Sequence, residues 1–480
     1  MMKINIQQMM ADSGVAFGTS GARGLVSQMT GQVCTAYTLA FLQGLGLAEP
    51  GRRIALGMDL RPSSPAIVQA CVAGIRQAGC EVDFCGVLPT PALALYAMAQ
   101  RIPAIMVTGS HIPFDRNGIK FYRAEGEISK ADEAAIAQAE VELQTISNDA
   151  ALPTVNPAAL QHYQQRYTSL FAADLLAGWR VGVYEHSSAA RDCLRELLNA
   201  LGADVVSLGR TDTFVPLDTE AVSEDDRRRG LAWAAEHRLD AIISTDGDGD
   251  RPLIADQAGR WLRGDIVGLL SARFLGVDTI VTPVSCNTAI EASGLFRQVI
   301  RTRIGSPYVI AGMGQALAAG SSCVVGFEAN GGFLVGGDLM VGGQPLAALP
   351  TRDAVLPALA VLAMARKQGV NVSDLLTGLP RRYTASDRLQ DFPLANSRAL
   401  LDSLQSDDSA YRNLWGDDLG TLARQDLTDG LRLTFANGEI VHLRPSGNAP
   451  ELRCYAEADS NERAQALVTL TLQRIAGKRH

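Results

Sequence analysis

The chain has 480 residues, of which 47% are hydrophobic and 20% are charged, and its formal net charge is −8. This length exceeds one compact core, so we expect three or four domains. The acidic balance, with no basic run interleaved with aromatics, argues against nucleic-acid binding. No apolar stretch reaches the roughly 18 residues of a membrane span. Because a signal-peptide core is lacking and the eight cysteines form no CxxC pair, we expect a cytoplasmic protein with reduced thiols.

Three segments of the chain share one pattern. Each contains a β-branched strand, a polar loop with serine, an amphipathic helix, a glycine and a second strand. They span residues 52–86, 179–209 and 278–305, and their glycines are Gly79, Gly202 and Gly294. Glycine at such a place closes a helix. Because parallel strands need a crossover of this kind, the pattern predicts three related α/β domains with mixed, mostly parallel sheets.

The C-terminal part has a different pattern. Two β-type runs within residues 430–445 are joined by Asn437-Gly438, which is typical of a hairpin because both residues tolerate positive φ. A further strand at 451–458 and an amphipathic helix at 460–477 complete a smaller α+β domain. The predicted domains are residues 1–150, 151–256, 257–372 and 373–480.

The string STDGDGDR, residues 244–251, points to a metal site. Asp246, Asp248 and Asp250 alternate with glycines directly after an apolar strand, and carboxylates packed so closely repel unless a cation joins them. An EF-hand loop is excluded, since Arg251 stands where that loop needs glycine and Gln257 where it needs glutamate. Three carboxylates with an open face suit Mg²⁺. The alternative is a solvated acidic turn.

Ser110 lies in the string VTGSHIPFDRNGIKFY, residues 107–122. Neighbouring side chains of an extended chain point opposite ways, so we expect His111 to be badly placed to take the proton of Ser110. The GxSxG pattern of serine hydrolases is also absent. Ser110 could simply cap the next turn. Together with the aspartate loop, it makes better sense as a phosphoryl carrier whose phosphate completes the coordination of the metal.

Two cations could serve the same transfer. Lys120 and Arg251 would offset the negative charge on the transferring phosphoryl group. Lys120 could alternatively act as a general base, if neighbouring positive charge lowers its pKa. A lysine is more often a solvated surface residue, but apolar neighbours flank this one.

Two further loops carry groups that suit a sugar phosphate. Glu328 and Asn330, in GFEANGGF at 326–333, could bind adjacent hydroxyls, although a plain glycine turn is an equal alternative. The string RPSGNAPELR, residues 444–453, predicts an anion cradle suited to a phosphate dianion, with a surface turn as the alternative. Its predicted phosphate-binding residues are Arg444, Ser446, Gly447, Asn448 and Arg453.

The four strings together, in this order along the chain, resemble the α-D-phosphohexomutase family. FGTSGARG at 17–24 is similar to the N-terminal signature of the family, which places Arg23 at its active-site arginine. The segment 303–309 corresponds to a region of substrate contacts. The resemblance implies a catalytic group of Ser110, Lys120, Arg23, His111 and Arg251. It implies metal ligands from Ser110, Asp246, Asp248 and Asp250, and substrate contacts that include Gly305, Ser306 and Tyr308.

The resemblance also implies an architecture and a reaction. Four domains would surround a central cleft, and phosphorylated Ser110 would move phosphate between C6 and C1 of a hexose through a 1,6-bisphosphate. Mg²⁺ and a hexose 1,6-bisphosphate would be the cofactors, and the protein would be a monomer or homodimer. The FEANGG form looks most like the bacterial phosphomannomutase branch, which converts mannose 6-phosphate to mannose 1-phosphate. Glucose and glucosamine phosphates are the alternative substrates.

The sequence departs from the family pattern in three places. Ile112 replaces the usual asparagine, Asn448-Ala449 replaces the usual Thr-Glu, and the 303–309 loop has no histidine that could act as acid or base. These departures leave open a sugar-phosphate-binding protein that has lost turnover. A metal phosphatase is a third possibility, although a second phosphate anchor favours retention of the intermediate over hydrolysis.

Overall fold

The computed structural model describes residues 2–18, 21–144, 151–406, 408–446 and 450–477. Their strands form four main sheets, which we number I to IV in chain order, and two small two-stranded sheets. Sheet I has seven strands, sheet II four, and sheets III and IV five each.

The first unit carries sheet I, with strand order β2-β3-β7-β6-β4-β5 and β8 paired to β7. Strands β1 and β9 form a separate antiparallel pair. The elements of this unit are β1 Met2–Asn5, α1 Ile6–Ser13, β2 Ala16–Phe17, β3 Ala22–Leu25, α2 Gly31–Gly44, β4 Arg53–Met58, α3 Ser64–Gln77, β5 Glu81–Val87, α4 Thr90–Gln100, β6 Ala104–Val107, β7 Arg116–Arg123, β8 Gly126–Glu127, α5 Lys130–Ala137 and β9 Glu140–Leu143.

The second unit carries sheet II, with strand order β11-β10-β12-β13. Its elements are α6 Ala158–Thr168, β10 Arg180–Tyr184, α7 Arg191–Ala200, β11 Asp204–Leu208, α8 Glu224–His237, β12 Ala241–Thr245 and β13 Pro252–Ala255.

The third unit carries sheet III, with strand order β15-β14-β16-β17-β20, and the small antiparallel pair β18-β19. Its elements are α9 Gly264–Leu275, β14 Thr279–Pro283, α10 Ala289–Ala292, β15 Gln298–Thr302, α11 Ser306–Ala318, β16 Val324–Phe327, β17 Phe333–Val335, β18 Leu339–Val341, β19 Gln344–Leu346, β20 Leu349–Asp353, α12 Val355–Gln368 and a 3₁₀ turn Val372–Leu376.

The fourth unit carries the antiparallel sheet IV, with strand order β21-β25-β24-β23-β22. Its elements are β21 Tyr383–Leu389, α13 Leu394–Ser406, α14 Asp408–Trp415, a 3₁₀ turn Gly416–Asp418, β22 Leu422–Asp426, β23 Leu431–Phe435, β24 Ile440–Pro445, β25 Leu452–Ala458 and α15 Asn461–Gly477. The predicted hairpin forms between β23 and β24, but only Gly438 of its turn has positive φ.

Sheets I, II and III share one topology. In each, the first strand of the repeat (β4, β10 or β14) pairs in parallel with the second and the third, and the third pairs with an antiparallel fourth. The predicted glycines Gly79, Gly202 and Gly294 all have positive φ just after the helix that joins the first two strands. The sequence repeat is therefore a real structural repeat. The prediction of mostly parallel sheets holds for the first three strands of each repeat, which pair in parallel. The strands that extend sheets I and III beyond the repeat pair in antiparallel fashion.

This topology places three predicted functional loops at equivalent positions. The Ser110 loop joins β6 to β7, the aspartate loop joins β12 to β13, and the 328–332 loop joins β16 to β17. Each loop therefore leaves the carboxyl end of a fully buried parallel strand and turns into an antiparallel neighbour. Ligands commonly bind at the carboxyl ends of parallel strands.

Apolar packing holds the first three units together. One continuous core includes Leu93 of α4, Ile243 of β12 and Phe327 of β16, while the C-terminal unit has its own core around Trp415 and Phe435. Helix α12 is buried from Val355 to Ala365, which explains its apolar sequence without a membrane. No helix in the described ranges is both long and apolar enough to cross one. The domain boundaries at 150, 256 and 372 stay predictions.

Candidate active site

The Ser110 loop is held in an unusual backbone conformation. Ser110 has φ 51°, in the left-handed region that non-glycine residues rarely adopt. Its N–H donates to Thr108 Oγ1 at 2.8 Å, and the N–H of Gly109 donates to Asp59 Oδ2 at 3.2 Å. The Ser110 side chain is fully buried. These bonds hold the backbone that carries the hydroxyl in place before any ligand arrives.

Arg61 also holds the Ser110 loop in place. Sequence reasoning did not identify this residue. Its Nη2 donates to the carbonyl of Ser110 at 2.9 Å and of Ile112 at 2.6 Å, and its Nη1 donates to the carbonyls of Pro113 and Arg116, both at 2.8 Å. A buried guanidinium that satisfies four carbonyls fixes the path of the whole turn. The available signal was the string GMDLRPSS, in which charged residues directly follow a buried strand.

The aspartate loop meets Ser110 from the second unit. Ser110 Oγ donates to Asp246 Oδ2 at 2.6 Å. Asp248 Oδ2 accepts from Thr90 Oγ1 and from Lys120 Nζ, both at 2.6 Å, and Asp250 Oδ2 accepts from Lys120 Nζ at 2.9 Å. All three carboxylates are buried, and their ligand atoms lie within 4.8 Å of one another. The predicted serine, lysine and aspartates therefore form one centre.

The three carboxyl groups differ in their electrostatics. Burial, followed by the charges of Asp248 and Asp250, raises the pKa of Asp246 well above its usual range. Burial would also raise the pKa of Asp248, but Lys120 reverses this and leaves the pKa lowered. For Asp250, Arg352 and Lys120 outweigh burial and likewise lower the pKa. The centre thus holds two firmly ionised carboxylates and one that is electrostatically disfavoured as an anion.

The possibility that Lys120 acts as a general base through a lowered pKa is not met in this structure. Burial alone would lower the pKa of Lys120, but Asp248 and Asp250 outweigh it and the pKa is raised. The nearby positive charge of Arg352 is the weaker influence. Lys120 is therefore a fixed cation of the centre.

The expectation that an extended backbone leaves His111 badly placed to take the proton of Ser110 was wrong about the geometry. Because Ser110 is left-handed and not extended, its Oγ lies 3.2 Å from His111 Nδ1. The same Nδ1 lies 2.9 Å from Arg251 Nη1, whose N–H it can accept. The charge of Arg251, followed by burial, lowers the pKa of His111 to about 2. The His111 imidazole therefore binds a proton too weakly to serve as a base near neutral pH. For this reason a serine-hydrolase function is still not favoured.

Arg23 and Arg251 bring positive charge to the same centre. Arg251 Nε lies 3.6 Å from Asp250 Oδ1 and 3.9 Å from Asp246 Oδ2. Arg23 lies on β3 in register with Gly118 of β7. Burial, followed by the charges of Arg251 and Arg352, lowers its pKa to about 10. Such a concentration of cations suits a ligand with several negative charges.

Arg352 joins the predicted sugar-binding loop at 328–332, called the sugar loop below, to the predicted metal-binding loop at 246–250, called the metal loop. Sequence reasoning missed this arginine. Its Nη2 and Nε donate to Asp250 Oδ2 at 2.9 and 3.1 Å, and its Nη1 donates to Glu328 Oε2 at 3.2 Å. Asn330 accepts from the N–H of Gly332 through Oδ1 at 2.9 Å. Both predicted sugar-binding residues are buried, and Arg352 links Glu328 to the aspartate centre. In the sequence, the only sign of such a role was that Arg352 is a charged residue near the end of a strand, in the string LPTRDAV.

The predicted phosphate anchor lies on sheet IV. Arg444 and Arg453 are register partners on β24 and β25, so both side chains lie on one face. Arg444 Nε forms an ion pair with Asp429 Oδ2 at 2.7 Å. The N–H of Ser446 donates to the carbonyl of Glu451 at 2.9 Å. The other two predicted residues of this anchor, Gly447 and Asn448, lie outside the described residues.

The 303–309 segment contacts the first unit, where Pro307 and Lys120 line the same small pocket. Gly305 has φ 131° and precedes α11, Ser306 Oγ donates to Glu127 Oε2 at 3.2 Å, and Tyr308 lies 5.9 Å below the guanidinium of Arg303. None of these three predicted substrate contacts is among the described residues that line the cleft.

A cleft of about 550 Å³ connects the two ends of the site. Its described lining comes from the first, second and fourth units and consists of His111, Ile112, Pro113, Asp218, Glu220, Ala221, Arg251, Ser386, Asp387, Arg388, Arg453 and Tyr455. His111 and Arg251 lie at the serine–aspartate centre, and Arg453 belongs to the predicted phosphate anchor. The predicted central cleft is therefore present.

Sequence and fold comparisons agree with this arrangement. Three segments of the chain match family models of phosphoglucomutase/phosphomannomutase. Domain I matches residues 14–145, domain III matches residues 263–383, and the C-terminal domain matches residues 394–471. A phosphomannomutase of Salmonella muenchen is 50% identical over 474 residues, covering 99% of this chain and 98% of the relative. The chain belongs to the α-D-phosphohexomutase family.

Other relatives extend this likeness. A phosphomannomutase of Sinorhizobium fredii is 45% identical, covering 95% of this chain and 97% of the relative. The crystal structure of a phosphoglucomutase/phosphomannomutase family protein from Burkholderia thailandensis shares the fold, with a TM-score of 0.71 at 20% identity, and covers 96% of this chain and 97% of that one. The predicted α-D-phosphohexomutase family, its fold and its enzyme class are confirmed.

Proposed function

We propose that this α-D-phosphohexomutase interconverts mannose 6-phosphate and mannose 1-phosphate. The observation that carries the proposal is the contact of 2.6 Å between the buried hydroxyl of Ser110 and the centre of three aspartates. The two relatives described above, with 50% and 45% identity, are phosphomannomutases, which favours mannose over the alternative glucose and glucosamine phosphates.

The donor set fits a divalent metal ion. Asp248 and Asp250 each use Oδ2 for protein hydrogen bonds, while the Oδ1 atom of each is buried without a hydrogen-bond partner among the described residues. Unpartnered buried carboxylate oxygens are costly unless a cation meets them. An all-oxygen donor set that leaves room for a phosphate oxygen is typical of Mg²⁺. With Ser110, Asp246, Asp248 and Asp250 around it, Mg²⁺ would supply charge neutralisation for the transferring phosphoryl group.

Ser110 is the proposed carrier of the phosphoryl group. In the forward step, the bond from Ser110 Oγ to phosphorus breaks, and a bond forms from phosphorus to a free hydroxyl of the bound hexose monophosphate. The resulting 1,6-bisphosphate reorients, and its other phosphoryl group returns to Ser110 Oγ. No phosphate is lost over the cycle. In the first half the proton of the attacking sugar hydroxyl passes to Ser110 Oγ, which ends that half as a hydroxyl. In the second half the Ser110 hydroxyl proton passes to the sugar oxygen that leaves phosphorus.

The cations of the centre would stabilise the transfer. Lys120, Arg23 and Arg251 hold positive charge close to Ser110 without a proton exchange near neutral pH. Such fixed charges stabilise the phosphoryl transition state, whose negative charge is spread over its oxygens. His111, kept neutral, can accept the N–H of Arg251 and so orient it.

The second phosphate would bind at the opposite end of the cleft. Arg444 and Arg453 present two guanidinium groups on one face of sheet IV. Two planar forks suit a phosphate dianion. Because the anchor must hold the C1 phosphate in one half of the cycle and the C6 phosphate in the other, a cradle of side chains suits it better than a rigid single-pose pocket.

A parallel assay tests the function. The protein is given mannose, glucose and glucosamine 1-phosphates, each with Mg²⁺ and a catalytic amount of the matching 1,6-bisphosphate, and kcat/KM is compared. We expect the highest kcat/KM with mannose 1-phosphate and little free phosphate. A preference for another hexose would overturn the substrate, and release of inorganic phosphate in quantity would indicate a phosphatase.

Intact-mass spectrometry separates the enzyme from a binding protein without turnover. We expect part of the purified protein to be heavier by one phosphate, mapped to Ser110 and lost on incubation with hexose monophosphate. If no such population forms even after treatment with the bisphosphate, the protein is a sugar-phosphate binder.

A further inference from the structure

Glu220 projects from the second unit into the cleft, between its two ends. It is half-buried and lines the cleft together with Arg251 at the serine end and Arg453 at the anchor end. Within the described parts of the chain, no hydrogen bond or ion pair involves its carboxylate. A half-buried carboxylate without a partner in a ligand-sized cleft is a candidate ligand contact.

The backbone around Glu220 is fixed on both sides. The preceding Leu217 is buried in the apolar cluster of the second unit. Asp218 Oδ1 accepts from the N–H of Glu220 at 2.9 Å and of Ala221 at 3.3 Å. Thr219 Oγ1 donates to the carbonyl of Asn330 at 2.7 Å, which ties this segment to the sugar loop of the third unit. Glu220 is therefore held in place relative to the sugar loop.

The charges around Glu220 fit a sugar phosphate. Burial and the neighbouring charge of Asp218 raise the pKa of the Glu220 carboxyl group, and the positive charges of Arg263 and Arg251 oppose this rise. The charge of Glu220 in turn acts on Arg453 and Tyr455 at the anchor end of the cleft. Glu328 of the sugar loop is also close enough to contribute to its electrostatics. A hexose phosphate that spans the cleft has its phosphates at the two cationic ends. Its ring hydroxyls then lie where the structure offers Glu220.

We propose that Glu220 is a specificity-determining residue that accepts hydrogen bonds from ring hydroxyls of the bound hexose. A carboxylate has two oxygens and can accept from two neighbouring hydroxyls at once. Glu220 would act beside the loop that carries Glu328, to which its segment is bonded through Thr219, so the ring would contact carboxylates from two different units. This inference rests on the proposed mutase activity.

The proposed contact between Glu220 and a ring hydroxyl is tested by removing each group in turn, the carboxylate from the enzyme and the hydroxyl from the sugar. The enzyme and its Glu220→Ala variant are assayed with mannose 1-phosphate and with its 2-, 3- and 4-deoxy analogues. Loss of hydrogen bonds to a charged group should lower kcat/KM of the variant with the parent sugar about 10- to 100-fold. In the unchanged enzyme, removal of the hydroxyl that contacts Glu220 should lower kcat/KM, and we call this decrease the deoxy penalty. In the variant that penalty should largely disappear, because the hydrogen bond has already been removed with Glu220.

Controls separate this role from a structural one. Glu220→Gln keeps the shape of the side chain and removes its charge. Because this change disturbs packing less than alanine does, the deoxy analogues can be compared in this variant if the alanine variant fails to fold. Glu224→Gln makes the same change at an exposed position four residues along the chain and should leave kcat/KM unchanged. Thermal unfolding of all variants is measured alongside.

The outcomes are distinct. A deoxy penalty that shrinks at one hydroxyl and persists at the others supports the proposal. Full activity of a folded Glu220→Ala variant, or a loss that is equal for every analogue, overturns it, the latter because Glu220 would then act only as a counter-charge for Arg453. If the unchanged protein turns over no hexose phosphate, the proposed function has failed, and that result is visible before any variant is compared.

Discussion

Ser110 Oγ lies 2.6 Å from Asp246 Oδ2, although the two residues are 136 positions apart in the chain. Both residues follow the third strand of the same repeated topology, Ser110 after β6 and Asp246 after β12. The first copy of the repeat thus provides the proposed phosphoryl carrier, and the second copy provides the carboxylates that face it. The third copy contributes Glu328 from the equivalent loop, joined to the centre through Arg352.

Replacing Ser110 with alanine should abolish mutase turnover while the protein stays folded. The hydroxyl is the proposed site of phosphoryl attachment, and its removal leaves no oxygen at that position to carry the group. A coupled assay measures turnover, and intact-mass spectrometry should find no phosphorylated population. Ser322→Ala, at an exposed serine, is the matched control and should retain full activity. Full activity in Ser110→Ala would contradict the carrier role.

Three loops of the site could be found from the sequence because each follows an apolar strand. Ser110, Asp246 and Glu328 all follow buried runs of the kind that end at the carboxyl edge of a sheet. The glycines of the repeat were predictable for a similar local reason, since each closes a helix with positive φ. Periodicity and turn chemistry are local properties, which a single sequence contains.

The supporting residues could not be found in this way, because their roles depend on long-range packing. Arg61 and Arg352 are single arginines whose partners lie about 50 and 100 positions away, at Ser110 and Asp250. The approach of His111 to Ser110 depended on a left-handed backbone that no glycine announced. Glu220 belongs to a loop without a recognisable motif, and its place in the cleft follows only from how the units are arranged.

Arg352→Met should destabilise the protein and weaken metal binding together. The substitution leaves Glu328 and Asp250 buried without the guanidinium that now meets both. Removing one partner of a buried ion pair costs about 3–5 kcal/mol of unfolding free energy. Denaturant unfolding measures this loss, and titration with Mn²⁺ followed by electron paramagnetic resonance measures metal affinity directly.

Two comparisons make the Arg352 result specific. Arg352→Lys keeps a charge but has one ammonium group where two carboxylates are now bridged, so we expect partial loss of metal affinity and a raised KM with most stability retained. Arg52→Met breaks an exposed pair with Glu49 and should cost at most about 1 kcal/mol. Unchanged Mn²⁺ affinity in Arg352→Met would show that Asp250 does not depend on this arginine.

His442 should contribute to loss of stability in acid. Burial lowers its pKa to about 4, while in the unfolded chain the pKa is about 6.5. Between these values the unfolded state binds more protons, so stability rises with pH and is lost as the pH falls from 6.5 towards 4. The Nε2–H group can donate to the carbonyl of Asp429 at 2.6 Å in the neutral form, and Nδ1 has no partner among the described residues. A proton added at Nδ1 would therefore be buried without an acceptor.

His442→Gln should flatten this part of the pH profile, because the amide can still donate to Asp429 but does not titrate. Urea unfolding at pH 7 and pH 4.5 measures the difference, which should be smaller in the variant by up to about 3 kcal/mol. His237→Gln, on the partly exposed last turn of α8, is the control and should follow the unchanged protein. Identical profiles for the protein and its His442 variant would show that this imidazole titrates normally.

Gly264→Ala should disturb sugar recognition while leaving the metal loop in place. A Cβ atom at Gly264 would lie 2.2 Å from the backbone nitrogen of Gly331 and 2.6 Å from the carbonyl oxygen of Ala329. Because these are backbone atoms, the loop that carries Glu328 must shift. Overpacking of this kind costs about 1–3 kcal/mol. We expect a raised KM for the sugar phosphate, with Mn²⁺ affinity close to that of the unchanged protein.

Gly314→Ala is the matched control for this change. Gly314 lies on the exposed side of α11, and no heavy atom comes within 4 Å of the Cβ it would gain. Alanine has the higher helix propensity, so unfolding free energy should rise by about 0.5–1 kcal/mol with KM unchanged. If Gly264→Ala also left KM and stability unchanged, the close approach of Gly264 to residues 329–331 would not constrain the sugar loop. The position of Glu328 would then have to depend on Arg352 and on the bond of Thr219 to the Asn330 carbonyl.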